Sequence, residues 1–154
     1  MAVAKPGAKA PNFTVPTTGG GFRLSDQGRD NLVVYFYPRD NTPGCTLEGS
    51  DFRDLAPEFR RARTRILGIS TDTLESHRKF KEKMKFPFEL GSDEDHAVAS
   101  QFGVWRQKNM YGRKMMGIER STFLIDATGA VRREWRKVRV NGHAAEVLEA
   151  AREL

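Results

Sequence analysis

Cys45 follows Thr42, Pro43 and Gly44 at the point where an extended apolar run gives way to helical spacing, and it is the chain's one cysteine. Thr42 is a natural N-cap, and Pro43 suits the first helical position because its missing amide hydrogen would have had no helical partner. Cys45 then falls in the first turn. Unpaired amide groups and the positive end of the helix dipole favour an anion there, and so a thiolate over a thiol. A free cysteine ionises near pH 8.5, so only about a few per cent is thiolate at neutrality without such help. The other reading of a lone cysteine is a small buried hydrophobe. Cap, proline and helix start together favour the reactive thiol.

The elements that must position Cys45 follow from pattern. Leu32 to Tyr37 is a continuous apolar run of a strand buried on both faces, and Arg65 to Ser70 repeats it more weakly. Between them Cys45, Glu48, Phe52, Leu55 and Phe59 recur at steps of 3, 4, 3 and 4, along one side of a helix. Strand, helix and strand make a parallel βαβ unit. Before it, Phe13 to Val15 and Phe22 to Leu24 flank the turn Gly19 to Gly21 as a hairpin. After it, a helix is expected from Thr73, with Leu74, His77, Lys81 and Met84 on one side, then a strand at Phe88 to Leu90. Asp93 or Asp95 is expected to cap a short helix through Phe102, and Val104 to Gly117 reads as strand with a loop. Ser121 to Ile125 is a strong strand, Asp126 to Gly129 a turn, Val131 to Val138 its partner strand, and Gly142 to Leu154 a closing helix. The expected architecture is a three-layer α/β domain with a mixed central sheet, compatible with a thioredoxin-like fold and spanning residues 1–154 as one domain.

Composition narrows the function classes. With 38% hydrophobic and 30% charged residues the chain is globular, and a lone cysteine forms no internal disulfide framework. The charge of +6 is densest at Arg132, Arg133, Arg136, Lys137 and Arg139, but this stretch alternates with apolar residues and matches no nucleic-acid reading motif. No nucleic-acid partner is expected. Nor is a membrane one, since no stretch approaches about 20 apolar residues. Met1 to Pro11 lacks the apolar core of a signal peptide, so the cytoplasm is the expected compartment. His77, His96 and His143 lack metal-ligand spacing and read as surface or core-edge residues, with no metal or cofactor expected. Met110, Met115 and Met116 read as gap fillers ahead of an apolar rim.

Pro38, Thr42 and Cys45 fit the signature Pro-x-x-x-Thr-x-x-Cys, and the segments around Phe36 to Glu48, Asn109 to Gly112 and Gly117 to Phe123 extend the match. In these residues the chain resembles the peroxiredoxins, most closely the bacterioferritin comigratory protein subfamily, from Ala10 to the last helix. The resemblance implies a thiol peroxidase acting on hydrogen peroxide and organic hydroperoxides. Cys45 would attack the peroxide, Thr42 and Arg120 would hold it, and Pro38 would shield the site from water. Taken alone, Arg120 reads as a solvated arginine at a strand end. Glu48 lies one turn beyond Cys45, where an unpaired carboxylate is costly to bury, and pairing it with Arg120 resolves both difficulties.

Many members of the subfamily carry a second cysteine, five residues on or in the following helix. Ser50 and Lys81 stand at those places here. The sulfenic acid on Cys45 is therefore expected to be resolved by an external thiol, thioredoxin or glutaredoxin with glutathione, and the protein to act as a monomer. A disulfide oxidoreductase of the thioredoxin kind would need a Cys-x-x-Cys pair, which this sequence lacks. A binding protein that keeps the fold without catalysis is the reading from another class.

Overall fold

The computed structural model describes residues 4–154, so part of the lead-in Met1 to Pro11 lies outside the described residues, as does the side chain of Met110. The elements run β1 (Thr14–Thr17), β2 (Gly20–Arg23), a 3-10 turn (Leu24–Asp26), β3 (Asn31–Phe36), α1 (Pro43–Arg61), β4 (Thr64–Ser70) and α2 (Leu74–Met84). They continue with β5 (Glu89–Ser92), α3 (Ala97–Gln101), β6 (Trp105–Met110), β7 (Arg113–Ile118), β8 (Ser121–Ile125), β9 (Val131–Trp135) and α4 (His143–Arg152).

Seven strands form one sheet in the order β2-β1-β5-β4-β3-β8-β9. The β3, β4 and β5 strands are parallel, and β8 joins β3 in antiparallel register, with Phe36 opposite Ser121. The sheet is therefore mixed. Residues of β3 alternate between two cores: Leu32, Val34 and Phe36 face one, and Val33 and Tyr35 face the other, with Tyr37 just beyond the strand. Burial on both faces is why this run shows no polar alternation. The first core takes in Val98 and Ala99 of α3 with Phe102. The second takes Phe52 and Phe59 of α1, Phe80 of α2, and Val147 and Leu148 of α4. These are the expected three layers.

Several boundaries differ from the sequence reading, each for a local reason. The first hairpin turns between Thr17 and Gly20, one step earlier, because the Thr17 hydroxyl accepts from the Gly19 amide across the turn. In α2 the buried positions are His77 and Phe80, while Lys81 turns outward to pair with Glu89 at 2.7 Å. Val104 to Gly117 is a two-stranded hairpin rather than one strand and a loop. Its two-residue turn, Tyr111 and Gly112, has positive φ at both positions, the geometry that suits strand twist. The last strand stops at Trp135 because Arg136 leaves it to donate to the carbonyls of Ala4, Phe102 and Gly103. One member of the basic cluster is thus a structural arginine. Gly49 lets α1 seat closely, since a Cβ there would stand 2.5 Å from the Phe86 ring.

Candidate active site

Three elements converge at the start of α1. That helix begins where the segment leaving β3 bends through Thr42, whose φ and ψ of −84° and 154° are those of an N-cap. Pro43 occupies the first turn as expected. The Thr42 hydroxyl, however, donates to the Arg39 carbonyl at 2.9 Å and does not cap the helix. Among the described residues no side chain caps this turn, which leaves its amide hydrogens for an anion. Cys45 is buried on the sheet side of that turn.

The β8 strand brings in the cation. Arg120 immediately precedes it, and the Arg120 carbonyl accepts from the Val138 amide at 3.0 Å, fixing the backbone. Its guanidinium then spans two groups: Nη1 donates to Glu48 Oε1 at 2.6 Å, and Nη2 donates to Cys45 Sγ at 3.3 Å. Gly44 makes room for it, because a Cβ there would sit 3.1 Å from Nη2. Burial disfavours the guanidinium's charge, but Glu48 and then Cys45 outweigh it and raise the Arg120 pKa. A second cation stands near the approach. Burial first, then Arg120, lowers the ammonium pKa of Lys108 on β6.

The structure therefore brings together Cys45, Arg120 and Glu48, three of the five site residues read from the sequence. Thr42 lies in the same turn with its hydroxyl on Arg39, and half-buried Pro38 opens the segment; neither bonds to the other three. The pairing of Glu48 with Arg120 appears as expected, yet Glu48 Oε2 is buried with no hydrogen-bond partner among the described residues. Burial pushes the Glu48 carboxyl up to about 7, against the opposing pull of Arg120.

That shift has a sign. A carboxyl whose folded value lies above its ordinary 4.5 adds stability that is full below that pH and is lost as pH rises through about 7. Wild type is thus expected to lose stability relative to Glu48→Gln across this window, as read by urea unfolding. A constant difference between the two would mean that Glu48 is ionised throughout. His143 titrates in both proteins and cancels in the comparison. Burial lowers it to about 4, so its contribution is present above 6.5 and lost as pH falls through 4.

Two histidines are not where the sequence placed them. His77 and His143 are buried rather than at the surface or core edge. His143 Nε2 shares a 2.7 Å hydrogen bond with the Thr122 hydroxyl, and His77 bonds Asp40 and the Gly91 carbonyl. Asp40 and His77 were not singled out as site residues. The signal available was an Asp in the segment leading to a thiolate, where a second negative charge demands neutralisation. His96 is half-buried and stacks on Trp105 at 4.2 Å. Met115 and Met116 are each about half exposed and fill no core gap, contrary to the first reading.

Comparison with known proteins places the chain in a family. The model of the AhpC/TSA family matches residues 6–134. Peroxiredoxin Bcp of Bacillus subtilis is 46% identical over 149 residues, covering 96% of this chain and 95% of its own. Peroxiredoxin Bcp of Xanthomonas campestris is 55% identical over 119 residues, or 77% and 74% of the two chains. Among solved structures, the X. campestris bacterioferritin comigratory protein, studied for alkyl peroxide reduction, superposes with a TM-score of 0.89 at 46% identity, covering 99% and 98% of the chains. A cysteine-to-serine mutant of PrxQ from Xylella fastidiosa superposes at 0.92 with 39% identity and the same coverage. The fold is the thioredoxin-like peroxiredoxin fold, and the chain belongs to the AhpC/TSA family, among the peroxiredoxins of the Bcp type.

Proposed function

We propose that Cys45 is the peroxidatic thiol of this peroxiredoxin, and that Arg120, Thr42 and Pro38 form its peroxide site with Glu48 in support. The observation that carries the reading is the 3.3 Å contact between Arg120 Nη2 and Cys45 Sγ at an uncapped helix start. The Cys45 thiolate attacks one peroxide oxygen, the O–O bond breaks, and the departing oxygen takes a proton to leave as water or an alcohol. Cys45 is left as sulfenic acid. Donors along the S–O–O axis stabilise charge developing on the leaving oxygen, and Arg120 offers several in one plane. The Thr42 hydroxyl, now on Arg39, is in the same turn and turns to the peroxide when one enters. Half-exposed Met115 and Met116 and exposed Leu47 offer an apolar border for organic hydroperoxides.

With one cysteine, reduction of the sulfenic acid falls to an external thiol. The first thiol expels water and forms a mixed disulfide; a second releases Cys45 and the oxidised reductant. Thioredoxin, or glutaredoxin with glutathione, supplies it. Because no tethered thiol raises the effective concentration, the resolving rate is expected to rise in proportion to added thiol. Peroxide consumption with thioredoxin and glutathione systems run side by side tests the function. Turnover with either supports the reading. Absence of turnover with both, while folded protein persists, would leave a binding protein on a peroxiredoxin scaffold.

The chain is read as one cytoplasmic domain, residues 1–154, without cofactor, nucleic acid or membrane partner. Residues as far apart in sequence as Ala4 and Val131 enter one core, which supports an undivided domain. Edge strand β9 carries exposed Arg132 and Arg133, charges that blunt edge-to-edge pairing and favour a monomer. Arg132 pairs with Asp126 and Arg136 with Glu134, so the basic stretch is partly neutralised rather than arrayed for phosphates. Among the described residues no helix is long and apolar enough to cross a membrane.

A further inference from the structure

The segment joining β3 to α1 contains an unusual backbone position. Asn41 has a φ of 63°, in the left-handed region that asparagine enters more readily than most residues other than glycine. Its neighbour Asp40 is the anchor. The Tyr37 hydroxyl donates to Asp40 Oδ1 at 2.7 Å, and the Ser76 hydroxyl donates to Oδ2 at 2.8 Å. His77 Nδ1 lies 2.7 Å from the same Oδ2. The Asp40 amide donates to Asp72 Oδ2 at 2.9 Å, and that oxygen also accepts from the Ser70 hydroxyl at 2.5 Å.

His77 closes the network. Its Nε2 is 2.8 Å from the Gly91 carbonyl, which only accepts, so Nε2 carries a proton. A second proton lies between Nδ1 and Oδ2, because a bare imidazole lone pair would face a carboxylate oxygen there. The Asp40–His77 pair therefore joins the two groups by an ion-pair-like bond with both side chains essentially excluded from water. Asp40, Asp72 and His77 lie close enough to suggest a metal cluster. Both Asp40 oxygens, Asp72 Oδ2 and both His77 nitrogens are already engaged in hydrogen bonds, so proton donors account for these atoms. Removing one partner of such a buried pair leaves the other uncompensated.

We propose that His77 is a positioning residue for peroxide reduction: through Asp40 it holds the turn that sets Cys45 against Arg120. The role rests on Cys45 being the attacking thiol. It adds to the reaction a residue of α2 that is 32 positions from Cys45 in sequence and touches none of the reacting atoms. Its separate bond to Gly91 ties α2 to β5, and a purely structural role would depend on that bond as much as on the one to Asp40.

Two substitutions separate these roles. Asn carries its amide at about the position of Nδ1 and can keep the bond to Asp40, whereas Gln carries it at about the position of Nε2 and can keep only the bond to Gly91. The measurements are the second-order rate constants of reduced protein with hydrogen peroxide and with iodoacetamide, alongside stability to urea. Peroxide needs the aligned donors; alkylation needs the thiolate and access alone. His77→Gln is expected to slow the peroxide reaction by about tenfold to a hundredfold, while alkylation changes by less than about threefold. His77→Asn is expected to recover most of the peroxide rate. Equal peroxide rates in the two variants, or peroxide and alkylation rates falling in parallel with stability, would overturn the proposal. If a His77 variant does not fold, Asp40→Asn and Asp40→Ala ask the same question. The Asn amide can still donate to His77, so Asp40→Asn should retain peroxide reactivity that Asp40→Ala loses, and equal rates would again overturn it. The wild-type peroxide rate separately tests the reading of Cys45.

Discussion

Cys45→Ser is expected to reduce peroxide turnover to background while leaving the fold intact. Serine has nearly the size of cysteine and fits the same buried position in the first turn of α1. It lacks an oxygen nucleophile that ionises near neutrality, and it cannot cycle through a sulfenic acid. No other cysteine is available to substitute. Loss of activity with unchanged circular dichroism and unchanged urea midpoint would place the defect in chemistry. Appreciable turnover by this variant would rule out the thiolate mechanism. An inactive variant with a lowered midpoint would instead assign the loss to folding.

Arg120→Ala carries the next largest effect, because the role proposed for Arg120 covers both the thiolate and the departing oxygen. The substitution removes a cation 3.3 Å from sulfur and leaves Glu48, buried at 1% side-chain exposure, without its partner. Peroxide reduction is expected to slow by about a hundredfold to a thousandfold, the scale for losing an oriented donor to developing negative charge. Arg120→Lys should recover part of the rate, since an ammonium restores the charge without the planar fork that reaches Glu48 and Cys45 together. Full recovery with Lys would mean that only the charge matters. No change with Ala would place Arg120 outside the reaction.

Much of this site was legible because its signals are local or were carried by the family resemblance. Thr42, Pro43 and Cys45 mark the helix start within four residues, and the spacing from Cys45 to Phe59 fixes which side of α1 turns inward. Glu48 and Arg120 lie 72 positions apart, yet each posed a problem that the other solved: a carboxylate on a buried face and a cation at the end of a buried strand. The detail of Thr42 was not legible. Residue type announces a cap, but whether the hydroxyl turns to the helix or back to Arg39 is a choice of side-chain rotamer that propensity does not specify. His77 and His143 were misplaced for a related reason. Their partners, Asp40 and Thr122, lie 37 and 21 positions away, and neither a histidine on polar α2 nor one at the start of α4 gives a local sign of such a partner. Val104 to Gly117 stayed ambiguous because a hairpin standing outside the main sheet has no doubly buried strand to betray it.

The central claim is that peroxide oxidises Cys45 directly and that an outside thiol restores it. Intact-mass spectrometry of fully reduced protein after stepwise addition of hydrogen peroxide, with and without glutathione, tests both halves at once. Without glutathione the expected result is addition of one oxygen, then two and three at higher peroxide, which digestion then maps to the peptide containing Cys45. With glutathione present the first oxygen adduct should give way to a mixed disulfide. A reduced protein whose mass does not change under peroxide would contradict the assignment of Cys45 as the peroxidatic thiol.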